Sequence, residues 1–228
     1  MNSYPEFPEK ETRLIVPGAI GGLEAIATPG KQISGDQREY DANSVEQVAI
    51  VCHPHSLMGG SMNNKVVHTV ARTHRDRGHP VVRFNFRGVG ESEGEYDAGI
   101  GEGDDLLAVM AWIKHCFPAA QIWLAGFSFG SFVAANALAE AINRGYAVKH
   151  LLLIAPATEN YPFDRLTEFS VPLAMIYGDQ DEVVDPQSIQ AWFETVESGK
   201  ASQCLHGAGH FFHGRLPDLK TSIETLCF

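Results

Sequence analysis

Gln121-Ile122-Trp123-Leu124-Ala125-Gly126-Phe127-Ser128-Phe129-Gly130-Ser131-Phe132-Val133-Ala134-Ala135 is the stretch that decides the fold. Gln121 to Ala125 is a short, mostly apolar run and reads as a buried strand. Ser131 to Ala139 is rich in small residues that suit a helix. Between them lies Gly126-Phe127-Ser128-Phe129-Gly130, a G-x-S-x-G at a strand-to-helix turn. A serine on so sharp a turn stands clear of the backbone, as a nucleophile elbow requires. Side chains two residues to either side would collide there, so glycine is needed at both places.

Two partners for Ser128 follow in the sequence. The apolar run Pro172 to Tyr177 reads as a strand and leads into Gly178-Asp179-Gln180-Asp181-Glu182. Ala201 to Leu205 reads as another strand and leads into Gly207-Ala208-Gly209-His210-Phe211-Phe212. Ser128, Asp181 and His210 thus each fall after a strand, where open α/β sheets place their sites. A serine hydroxyl is a weak nucleophile at neutral pH and needs an adjacent base. His210 is the candidate base, and Asp181 would fix its tautomer and stabilise its charged form. Asp179 and Asp185 compete for the acid's role. Asp179 follows its strand so closely that it reads as a loop cap, and Asp185 before Pro186 reads as a helix N-cap.

An acyl-transfer site also needs backbone N–H donors for the developing oxyanion. Phe129, directly after Ser128 at a helix start, is the first candidate. The second is expected from the loop His53-Pro54-His55-Ser56-Leu57-Met58-Gly59-Gly60, which follows the strand Val48 to Cys52. His55 is the first choice and Ser56 the next, because Pro54 has no N–H. Met58, Phe127 and Phe211 are candidates for the substrate wall. Phe129 and Phe212 are further aromatic candidates, and part of this set belongs to the core.

Elsewhere, strands alternate with helices. Thr12–Val16 and Leu23–Thr28 read as an opening antiparallel pair, and Ile33–Ser44 as a polar loop. A helix is expected over about 64–77, a strand over 81–86 and a helix over about 103–116. A strand over 150–155 and helices over about 186–196 and 217–226 complete the pattern. Alternation of this kind predicts an α/β fold, with a mostly parallel central sheet covered by helices on both faces. The 228 residues suit a single domain, 1–228. Only Pro156 to Ser170 separates two of the late strands, which is too short for a lid domain.

Composition narrows the function. The chain holds 28 acidic and 17 basic residues, a formal net charge of -11, which disfavours nucleic acid and anionic membranes as partners. The N-terminus lacks a basic segment followed by an apolar one, and no apolar run is long enough to span a bilayer. The four cysteines have no paired spacing, so free thiols and a cytoplasmic location are expected. His53 and His55 form an H-x-H, but spacing supplies no third ligand. Cys204, His206, His210 and His213 match no standard zinc pattern, and such a site would consume the candidate base. No metal or cofactor is therefore expected. Arg87 reads as an anchor for the glycine-rich turn Arg87 to Gly94. Gly99-Ile100-Gly101-Glu102-Gly103 is not a dinucleotide fingerprint, because it follows no strand.

Taken together, these motifs resemble the α/β-hydrolase superfamily over nearly the whole chain. His53-Pro54-His55-Ser56-Leu57-Met58-Gly59-Gly60-Ser61-Met62-Asn63-Asn64-Lys65, Asn85 to Ser92 and Gly126 to Gly130 are similar to a small bacterial subfamily of lidless hydrolases described as hydrolases or carboxylesterases. The first oxyanion loop departs from the common His-Gly pattern by carrying Pro54. The resemblance implies a Ser-Asp-His triad in that chain order. It also implies hydrolysis of small-molecule carboxylic esters through an acyl-enzyme. A thioesterase or deacylase acting on a larger acyl carrier is the nearest alternative. A non-catalytic scaffold keeping the fold is the alternative from another class.

Overall fold

The computed structural model describes residues 4–31 and 44–228. The loop expected over Ile33–Ser44 lies, apart from Ser44, outside the described residues. Eight strands among the described residues form one sheet. They are β1 (Thr12–Pro17), β2 (Gly22–Thr28), β3 (Gln47–Cys52), β4 (Val81–Phe84), β5 (Gln121–Phe127), β6 (Val148–Ile154), β7 (Leu173–Gly178) and β8 (Lys200–Leu205). The helices are α1 (Lys65–Asp76), α2 (Ile100–Cys116), α3 (Phe129–Asn143), α4 (Pro186–Thr195) and α5 (Leu216–Cys227). The strand order is β1-β2-β4-β3-β5-β6-β7-β8. β1, β2 and β4 pair antiparallel, and β4, β3, β5, β6, β7 and β8 run parallel.

Strand alternation explains the layers. Ile122 and Leu124 of β5 join a core with Val48, Ile50, Leu151 and Leu153, covered by Trp112 of α2, Val133 of α3 and Trp192 of α4. Trp123 and Ala125 point the other way, into a second core with Val51 and Leu152, covered by Val66 and Val70 of α1 and by Leu219 and Ile223 of α5. A strand buried on both faces reads as a continuous apolar run, which is what β5 and β6 show.

The order β4-β3-β5 positions the site. After β3 the chain moves to one side through β4, then crosses to the other side through β5. Loops leave the carboxyl ends of β3 and β5 in opposite directions and open a crevice between them. The short segment between β6 and β7 holds one 3-10 turn, Phe163–Arg165. Helix α2 begins at Ile100, earlier than the sequence predicts. The Glu102 carboxylate folds back to accept the N–H groups of Asp97 and Gly99, which caps the helix before its glycines can fray it. Gly99-Ile100-Gly101-Glu102-Gly103 is therefore a helix start. Arg87 anchors the turn after β4 to α2 through a forked, buried pair with Asp105 (Nη2 to Oδ1 2.8 Å), and Asp105 also accepts the Arg87 backbone N–H.

Candidate active site

Ser128 sits between β5 and α3 with φ 54° and ψ -116°, a backbone conformation that a side-chain-bearing residue adopts only when its surroundings enforce it. The enforcement is visible in the flanking glycines. A Cβ on Gly126 would lie 2.2 Å from the Gly130 carbonyl oxygen. A Cβ on Gly130 would lie 2.5 Å from the carbonyl oxygens of both Cys52 and His53. The first turn of α3 therefore presses directly onto the end of β3. Ser131 locks the turn, with its Oγ donating to the Gly126 carbonyl (2.8 Å) and accepting the Ile154 N–H (3.2 Å).

Ser128 Oγ lies 3.0 Å from His210 Nε2, and His210 Nδ1 lies 2.7 Å from Asp181 Oδ2. The His210 and Asp181 side chains are buried. Asp181 Oδ1 accepts the N–H groups of Val183 and Val184, each at 2.8 Å, so the second oxygen is left for the histidine. Glu182 accepts the His210 backbone N–H at 3.1 Å and ties the loop after β8 to the loop after β7. With Nδ1 protonated toward Asp181, Nε2 is free to accept the serine proton.

The competing acids lie elsewhere. Asp179 accepts the Gly207 N–H at 2.6 Å and contacts His206 Nδ1 at 2.9 Å, which pins the turn after β8. The bonds from His206 and Gly207 hold its carboxyl below the usual range. Asp185 caps α4 by accepting the Gln187 N–H.

The loop after β3 folds around its histidines. His53 is fully buried; its Nδ1–H donates to the Pro54 carbonyl (2.6 Å) and its Nε2 accepts the Phe86 N–H (3.0 Å). Burial pushes its pKa down to about 4, partly opposed by the Pro54 bond, so it stays neutral and structural at neutral pH. His55 organises the next turn: its Nδ1 accepts the Leu57 N–H, and its carbonyl accepts the N–H groups of Met58 and Gly60. Among the described residues, the N–H groups of His55, Ser56 and Phe129 are not engaged in a hydrogen bond. They lie where α3 meets the β3 loop.

Two tyrosines not expected from the sequence cluster beside these donors. Tyr96 Oη lies 3.2 Å from His55 Nε2 and 3.2 Å from Tyr161 Oη. The Tyr161 ring packs on Phe129 (centroids 5.1 Å) and Phe132 (4.8 Å). Because His55 Nδ1 accepts from Leu57, its Nε2 carries the proton and donates to Tyr96. Burial and the Tyr96 bond push the Tyr161 phenol well above its ordinary pKa, so it remains a neutral donor.

Of the expected substrate wall, Met58 (84% exposed) and Phe211 (37%) line the open rim. Phe127 does not. It is fully buried and packs behind the His210 ring (centroids 5.1 Å), because its position in β5 points its side chain into the second core. Phe127 thus supports the histidine and is removed from the substrate wall. Phe129 and Phe212 are likewise buried.

A family model described as alpha/beta hydrolase fold matches residues 50–158, from within β3 to just past β6. A lidless α/β serine hydrolase from Xanthomonas campestris is 38% identical, with TM-score 0.85, covering 97% of this chain and 95% of that one. The chain belongs to the α/β-hydrolase family. An α/β serine hydrolase homologue from Coxiella burnetii has the same identity and TM-score and is matched over 100% of its length. An uncharacterised protein of Rickettsia prowazekii is 33% identical over 186 residues, 78% of this chain and 76% of that one. In this chain residues 155–172 separate β6 from β7. Among the described residues, no helix is long and apolar enough to cross a membrane.

Proposed function

We propose that this α/β-hydrolase cleaves carboxylic esters of small molecules by a Ser128-His210-Asp181 triad through an acyl-enzyme. The observation that carries the reading is the hydrogen-bonded chain of 3.0 Å and 2.7 Å leading from a strained serine to a buried carboxylate. His210 Nε2 takes the Ser128 proton as Oγ attacks the ester carbonyl carbon. The carbonyl oxygen becomes an oxyanion and is held by the Phe129 N–H and the His55 N–H, with the Ser56 N–H adjoining. His210 returns the proton to the alkoxide, the alcohol leaves, and the acyl group stays on Ser128. Water then repeats the sequence and releases the acid. No step calls on a metal or cofactor.

The rim supports small or open-ended substrates. Leu57, Met58, Val183 and Phe211 are exposed on loops that carry the donors, the acid and the base. They offer an apolar ledge, and a cavity of about 430 Å³ lined by Ser56, Leu57, Arg87 and Tyr96 adjoins the donors. Rapid mixing with p-nitrophenyl acetate tests the reading. It expects a burst of p-nitrophenol close to one equivalent per chain, followed by slower turnover. Failure to turn over any p-nitrophenyl ester, with turnover of acyl thioesters instead, would move the assignment to a thioesterase.

A further inference from the structure

We propose that Asp179, Cys204 and His206 form a binding site for a single divalent transition-metal ion of the zinc class at the carboxyl edge of β7 and β8. Register places them together. Tyr177 pairs with Cys204 across the two parallel strands, and Asp179 and His206 follow two residues later in the turns after those strands. Asp179 Oδ2 lies 2.9 Å from His206 Nδ1, which brings the turns after β7 and β8 together. The ligand atoms of Asp179, Cys204 and His206 lie within 4.8 Å of one another, and this is the one such group of three among the described residues. Sulfur, imidazole and carboxylate are the donor set that zinc prefers, and three protein ligands leave a fourth position for water.

The surroundings fit a bound cation. Asp179 already receives the Gly207 N–H on Oδ1, which orients the carboxylate and leaves Oδ2 directed at His206. Tyr177, the cross-strand partner of Cys204, stands beside the sulfur. A metal ion takes up the thiolate form of Cys204, so its binding releases the thiol proton to solvent. This set differs from the cysteine–histidine run weighed from sequence spacing, because it leaves His210 to the triad. Asp179 comes two residues before Asp181 and His206 four before His210. The ion would therefore clamp together the loops that carry acid and base, whatever the substrate of the site.

Equilibrium dialysis and Co2+ titration of the full chain test the proposal without reference to turnover. The expected result is about one ion per chain, with a thiolate-to-cobalt charge-transfer band in the near ultraviolet. Cys204→Ser should abolish that band, and Cys204→Ser and His206→Gln should each weaken binding by at least about tenfold. Zn2+ should raise the Tm of the unsubstituted protein and not of the variants. The His206 side chain is 88% exposed, so His206→Gln preserves the fold even if Cys204→Ser does not. No ion retained by the unsubstituted chain, or equal affinity in both variants, would overturn the proposal.

Discussion

Ser128 and its two glycines show why single atoms decide this site. A methyl group at Gly130 has no room, since its nearest neighbours would be backbone oxygens that anchor β3. Gly130→Ala is expected to lower stability by about 2–3 kcal/mol, seen as a lower urea midpoint, and to displace the Phe129 N–H. Asp181→Asn keeps the volume but no longer fixes the imidazole tautomer, and kcat should fall by on the order of 10⁴. Asp179→Asn and Asp185→Asn should cost far less, because those carboxylates hold a turn and a helix start. A crippled Asp179→Asn with an active Asp181→Asn would show that Asp179, and not Asp181, is the acid. Ser128, Asp181 and His210 were legible in the sequence because each follows a strand signal in the order the chemistry needs. Tyr96, Tyr161 and Glu182 were not. They lie in loops with no periodicity; the crossing of β3, β5 and the loop after β6 brings the two tyrosines together, and the pairing of β7 with β8 brings Glu182 to the His210 loop.

At the scale of elements, every strand and helix expected within the described residues is present, and the differences lie at the ends. β5 runs on to Phe127 because its ladder with β6 continues to Ile154, so Phe127 points into the core and not toward substrate. The buried histidines show another element-level effect. His74 in α1 is held near pKa 3 by burial and by His79 and His150, His53 after β3 near 4, and His150 in β6 near 4 by burial and Lys149. Each titrates near 6.5 when unfolded, so above that pH both states are neutral and nothing is lost. As pH falls from 6.5 toward 4 the unfolded chain takes up protons that the fold refuses. Stability should then drop by up to about 1.4 kcal/mol per pH unit for each histidine. Urea midpoints at pH 7 and pH 5 measure this. His150→Phe, which removes a buried Nδ1 with no partner among the described residues, should flatten the slope. A midpoint unchanged between the two pH values would show that these histidines are protonated in the fold.

The whole molecule presents its site at the carboxyl end of the sheet, with only residues 155–172 between β6 and β7. Each methylene removed from water is worth about 0.8 kcal/mol, so a deep pocket would favour long acyl chains steeply. A ledge as exposed as Met58 and Phe211 is expected to cover only the first carbons. kcat/KM is therefore expected to peak between acetyl and butyryl p-nitrophenyl esters, with no jump in rate when substrate forms micelles. A preference for chains of about twelve carbons or more would require a deeper pocket than this surface offers. The central claim is that Ser128 becomes acylated, and it is tested most directly by mass spectrometry of the protein after a fluorophosphonate probe, with Ser128→Ala alongside. The account predicts one adduct per chain, on the peptide containing Gly126 to Gly130, and none on the variant. An adduct on another residue, or equal labelling of Ser128→Ala, would contradict it.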